Sequence, residues 1–196
     1  MRTFGKILKY SVIAAALVFI VFLAVRIGMT SNRRILADIH PTDNAALAYE
    51  KDREEAFLTH KLPAEISEDG YFTAYALSYS PTSGELQITV RYNQSLSEKY
   101  LPGSDPDNYY FELRDGEGET VAKGKRLSEK ELYFYEHIRI AFEGVELDGE
   151  SELYLFLCDD ESEYPAEHTK GIIIHHPSFE FKKLSLSKEE KEALSK

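Results

Sequence analysis

Glu85-Leu86-Gln87-Ile88-Thr89-Val90-Arg91-Tyr92 alternates polar and apolar residues without a break. Successive side chains of a β-strand point to opposite faces, so this order puts Leu86, Ile88, Val90 and Tyr92 on one apolar face. Helical spacing would scatter the same four residues around the axis. The stretch therefore predicts a strand covering a core, and the sequence around it repeats the pattern. Tyr71–Tyr79 reads as a strand, joined to it by the turn-rich Ser80-Pro81-Thr82-Ser83-Gly84. Tyr109, Phe111 and Leu113 alternate with Tyr110, Glu112 and Arg114, and Asp115-Gly116-Glu117-Gly118 turns them into Glu119–Leu127. Ile138, Ile140 and Phe142 alternate with His137, Arg139 and Glu143, and Asp148-Gly149 leads into Glu152–Cys158. The last run, Gly171–His176, is expected to continue past Pro177 through Phe179 and Phe181.

The expected fold is mainly β: a seven-stranded sandwich of immunoglobulin-like or fibronectin-III-like architecture over 70–184. A short barrel is the alternative. The paired cysteines and core Trp of antibody domains are missing, since Cys158 is the one cysteine and there is no Trp. One cysteine also excludes an internal disulfide and a thiolate zinc cluster. Within the apolar run Leu153–Cys158 it is expected to be a buried, inert thiol.

Upstream, Tyr10–Val25 (YSVIAAALVFIVFLAV) carries no charge. With Lys9 and Arg26 reaching out to the headgroups, Tyr10–Met29 is long enough for a transmembrane helix, which needs about 20 residues. No small-x-small cleavage site follows the run, so it reads as an uncleaved anchor rather than a secretory signal. Arg2, Lys6 and Lys9 precede the span and Arg26, Arg33 and Arg34 follow it. The terminal amine breaks this tie, giving a basic cytoplasmic tail over 1–9 and a C-terminal domain outside. Residues 30–69 read as a linker. Thr42 or Asp43 caps a modest helix over about 43–58, Pro63 ends any continuation, and the whole serves as a stalk. Ser187-Lys188-Glu189-Glu190 matches a capping box, opening a short helix or tail over 185–196.

All 34 acidic residues and 17 of the 23 basic ones lie after residue 34, which gives that part a formal charge of −17. Such a surface repels phosphate backbones, so nucleic acid is not an expected partner. The lipid bilayer is one, through Tyr10–Met29.

The chain has no G-x-S-x-G, P-loop, G-x-G-x-x-G or H-E-x-x-H motif. Ser185–Lys188 has S-x-x-K spacing but no companion motif. The six histidines, His40, His60, His137, His168, His175 and His176, are scattered. His175 and His176 face opposite ways in a strand and do not chelate one ion together. Acidic loops are the remaining candidates: Asp105 and Asp107 in one, Asp159, Asp160 and Glu161 in the other. Calcium takes six to eight oxygens, which dense carboxylates supply, but neither loop has EF-hand spacing. Solvated turns are the expected reading, with no cofactor. Asn93-Gln94-Ser95 is a glycosylation sequon, relevant only in a host that glycosylates the exported domain.

Leu86–Asn93 (LQITVRYN), taken with the short basic tail and the single span, resembles uncharacterised membrane-anchored β-sandwich proteins of Gram-positive bacteria. The resemblance implies a layout and no activity. The expected function is a binding or structural module without catalysis, meeting a protein or cell-envelope ligand through the long loops Ser95–Asn108 and Asp159–Lys170. One competing reading is a metal-assisted hydrolase gathering His137, His168 and carboxylates. Another is an accessory subunit of a membrane complex, packed through Ala14-Ala15-Ala16.

Overall fold

In the computed structural model the alternating run becomes a central strand. The structure describes residues 2–29, 39–66, 72–93, 109–132, 135–147, 150, 152–159, 163–164 and 171–196. Its strands are β1 (Leu58–Ile66), β2 (Phe72–Ser80), β3 (Glu85–Asn93), β4 (Tyr109–Asp115), β5 (Thr120–Lys123), β6 (Lys125–Leu132), β7 (Tyr135–Phe142), β8 (Leu153–Asp159), β9 (Glu163–Tyr164), β10 (Ile172–His175) and β11 (Lys182–Lys183). They form two antiparallel sheets, β11-β1-β2-β3-β7-β6 and β10-β8-β4-β5, with β9 also paired to β8.

Period two explains how the sheets meet. Leu86, Ile88 and Val90 of β3 sit opposite Phe142, Ile140 and Ile138 of β7. Phe111 and Leu113 of β4 and Leu155 and Leu157 of β8 pack into the same buried cluster from the second sheet. Each such side chain, fully buried, contributes about 1.5–3 kcal/mol. The two sheets thus enclose one apolar core. At the β2–β3 turn Gly84 has φ +64°, and its carbonyl accepts from Val145 N at 2.9 Å.

The expectation of seven strands is corrected. The run Glu119–Leu127 is two strands in different sheets, with the chain crossing at Gly124. A Cβ there would stand 2.5 Å from Ile140 Cγ2, 2.9 Å from Phe142 Cε1 and 3.0 Å from the Phe111 carbonyl oxygen. Any side chain at that crossing would have to displace packed core atoms. Short strands β9 and β11 are added. Strand β10 stops at His175, and Phe179 and Phe181 follow a turn in which Phe179 N donates to His176 O at 2.8 Å.

The stalk expected over 30–69 is corrected as well. Its described part contains helix α2 (Asp43–Lys51) and strand β1, both within the compact unit Leu36–Lys196. Thr42 caps α2 by accepting from Ala45 N at 3.0 Å. Ala45, Ala48 and Tyr49 then bury themselves with Ile39, Ala56, Phe57, Leu184 and Leu194 in a second apolar cluster. Pro63 lies where the β1–β2 register shifts between Lys61 and Glu65, a position that needs no ladder N–H. A C-terminal helix α3 (Lys188–Leu194) follows the capping box, in which Ser187 and Glu190 exchange hydrogen bonds. The other carboxylate oxygen of Glu190 accepts from Ile39 N at 2.8 Å, joining the two ends of the unit.

The first unit, Met1–Ile35, holds helix α1 (Arg2–Met29). Its stretch Leu8–Val25 has mean hydropathy 2.4 and is long and apolar enough to cross a membrane. Eighteen residues at about 1.5 Å each span about 27 Å, close to the hydrocarbon thickness of a bilayer.

Candidate functional site

The face of the smaller sheet turned away from the core carries its chemistry. Strand β4 sends Phe111 and Leu113 inward and Tyr110, Glu112 and Arg114 outward. Register aligns Glu112 with Lys123 of β5 and Phe156 of β8, and aligns Arg114 with Thr120 and Tyr154. Glu112 is the hub, only 4% exposed. It accepts from Arg114 Nη2 at 2.8 Å, Arg114 Nε at 3.2 Å and Thr120 Oγ1 at 3.2 Å, with Lys123 Nζ 3.5 Å away. Burial pushes its pKa up, but the Arg114 pair, the Thr120 hydroxyl and Lys123 outweigh burial and hold it below the ordinary 4.5. Glu112 is therefore an ionised acceptor rather than a proton donor near neutrality.

The cations are fixed on aromatic faces. Arg114 lies 4.8 Å from the Phe156 ring centroid and Lys123 lies 4.8 Å from that of Tyr110. Burial, then the Glu112 charge, raises the Tyr110 phenol above 10.0. The Tyr154 phenol is raised too, by its hydrogen bond to Glu152 and then by burial. Gly171 opposes Phe156, and a Cβ there would fall 2.6 Å from the ring, so the edge backbone is bare where the ring covers it. The result is a preorganised aromatic and cationic surface. Cys158, on the same outward row, is 2% exposed, and its sulfur is 3.9 Å from Arg114 Nη2.

His60, His175 and His176 all lie around the Phe179 ring, whereas His40 and His137 lie along the larger sheet. His60 Nδ1 donates to Glu180 O at 2.9 Å, and its ring stacks on Phe179 at 4.3 Å and 9°. His175 packs near Phe179 and Phe181. His176 Nδ1 accepts from Ser178 N at 3.1 Å, which leaves Nε2 to face Glu152 Oε1 at 3.3 Å. His137 is buried on β7, in the other sheet. His40 lies against β3: its backbone N–H donates to Gln87 Oε1 and its carbonyl accepts from Gln87 Nε2, both at 2.9 Å. Burial, then the Arg139 charge, lowers the His40 pKa against the opposing pull of Glu85. Among the described residues no three His, Cys, Asp or Glu side chains gather to hold a metal.

Of the calcium candidates, Asp159 ends β8 opposite Tyr109. Asp105, Asp107, Asp160 and Glu161 lie outside the described residues, as does His168. Ser185 is exposed, and Lys188 pairs with Glu192 at 3.6 Å. Sequence reasoning overlooked the Glu112 network, although the alternation Tyr110, Glu112, Arg114 already put all three on one face. Their pairing with Lys123 needed the register.

No known protein family matches the chain, and no curated protein or solved structure does either.

Proposed function

We propose that the chain is a single-pass membrane protein carrying an immunoglobulin-like or fibronectin-III-like sandwich outside the cell, with its N-terminus inside. The sandwich acts as a non-catalytic binding or structural module for a protein or cell-envelope ligand. The observation that carries this reading is the stretch Leu8–Val25, eighteen residues of mean hydropathy 2.4 in one continuous helix. Water is an unfavourable solvent for so many exposed aliphatic side chains, whereas a bilayer is not. The aromatic and cationic face around Glu112 supports a binding role, since Arg114 and Lys123 share one carboxylate and are already held over aromatic rings. Fractionation tests the anchor. The full chain should stay with membranes after alkaline carbonate, and a chain beginning at Leu36 should leave them. Release of the full chain by carbonate would overturn the reading.

A further inference from the structure

The second apolar cluster is open on one side. There a cleft of about 430 Å³ opens among Arg53, Glu54, Lys183 and Lys191. Its chemistry runs against the rest of the unit. The chain after residue 34 has a formal charge of −17, yet three cations and one acid surround this opening. Arg53, Lys183 and Lys191 make no ion pair among the described residues. Glu54 is the one carboxylate in the lining, so the opening carries two net positive charges, which a doubly charged anion would balance.

The local fold holds these groups around the opening. Asp52 Oδ1 accepts from Glu54 N at 3.1 Å and Glu55 N at 3.0 Å, forming the turn that presents Arg53. The Arg53 guanidinium lies 5.9 Å from the Tyr49 ring centroid. Leu184 N donates to Phe57 O at 2.9 Å, tying the end of β11 beside that turn. Ala56, Phe57, Leu184 and Leu186 supply apolar wall. The volume exceeds that of a bare oxyanion and falls in the usual range for small organic ligands, about 300–1,000 Å³. A guanidinium and two ammonium groups above an apolar wall match a doubly charged oxyanion attached to carbon.

We propose that this cleft binds a phosphate monoester, with the phosphate among Arg53, Lys183 and Lys191 and the organic part against Phe57 and Leu184. The assignment stands on the cleft alone, independent of the anchor and its orientation. Two sources share this chemistry, a lipid headgroup and a soluble phosphate ester. The full chain, purified in nonionic detergent, is titrated calorimetrically with glycerol 3-phosphate, with dihexanoyl phosphatidic acid and with glycerol. Both phosphates should bind saturably and glycerol should not. Tighter binding of the acyl form points to a lipid, and equal binding to a soluble ester. Lys183→Gln and Lys191→Gln should each weaken binding about 2–5-fold, as for a solvent-screened charge pair, and more together. All three cations are exposed, so the melting temperature reports whether each variant is folded. Lys125→Gln, outside the cleft, should leave binding unchanged. No saturable phosphate binding, or equal weakening by Lys125→Gln and the double variant, would overturn the proposal.

Discussion

Gly124→Ala adds one methyl group where the chain passes from one sheet to the other, and its cost can be worked from the contacts. The new Cβ would meet Ile140 Cγ2 at 2.5 Å, Phe142 Cε1 at 2.9 Å and the Phe111 carbonyl oxygen at 3.0 Å. Ile140 and Phe142 are 0% exposed and packed in the core, so neither can swing into solvent. The Phe111 oxygen is held as well, accepting from Gly124 N at 2.7 Å. Relief must come from shifting core side chains off their rotamers or stretching the crossing. Overpacking of this kind costs about 1–3 kcal/mol, and the entropy that Ala saves in the unfolded chain returns less than 1 kcal/mol of it. For a unit of this size the melting temperature should fall by roughly 3–8 °C. The assay is thermal unfolding of the full chain in nonionic detergent, with Gly116→Ala as control, because a Cβ at Gly116 meets nothing within 4 Å. If both variants melt together, the close crossing between the sheets is wrong.

Thr42→Ala removes the cap of α2 and the hydroxyl donated to Glu85 (2% exposed), and should destabilise by about 1–3 kcal/mol in a urea titration. A loss within error of zero would mean that the segment is not latched to β3. Glu112 has a folded pKa below 4.5, so its stabilisation is present above that value and is lost as pH falls through the folded pKa. Glu112→Gln should flatten the acid limb of stability against pH. His40 is also depressed, so the unfolded chain binds its proton first and stability declines as pH drops below 6.5. His40→Gln should remove that earlier decline. Cys158, 2% exposed, should react with a thiol reagent only after denaturant is added, and prompt reaction of native protein would contradict its burial.

Strands with a clean period of two could be read from residue order alone. Leu86, Ile88 and Val90 needed no tertiary information to be assigned inward. The opposite face of β3 was another matter. Glu85, Gln87 and Thr89 have the composition of a solvated face, yet all three are buried. Thr42 and the His40 backbone serve Glu85 and Gln87 as water would. Hydrogen bonding to protein and to water selects the same residue types, so the sequence cannot distinguish a covered polar face from a wet one. The same ambiguity hid β1. Its Thr59-His60-Lys61 and Pro63 look like a linker, and only pairing with β2 makes them a strand. The crossing at Gly124 left one glycine as its sole mark in an otherwise continuous strand pattern. In the candidate site, single residues were legible and partners were not. Lys123 meets Glu112 through β4–β5 register. Arg53, Lys183 and Lys191 come from three separate stretches that converge only in the folded unit.

Site-directed thiol labelling on intact cells tests the central claim, a sandwich held outside the membrane by α1. Glu117 is exposed in the β4–β5 turn, and Thr3 precedes the apolar stretch. With native Cys158 replaced by Ala, Glu117→Cys should react with a membrane-impermeant maleimide, and Thr3→Cys should react only after lysis. Labelling of Thr3→Cys with protection of Glu117→Cys would put the domain in the cytoplasm and contradict the account.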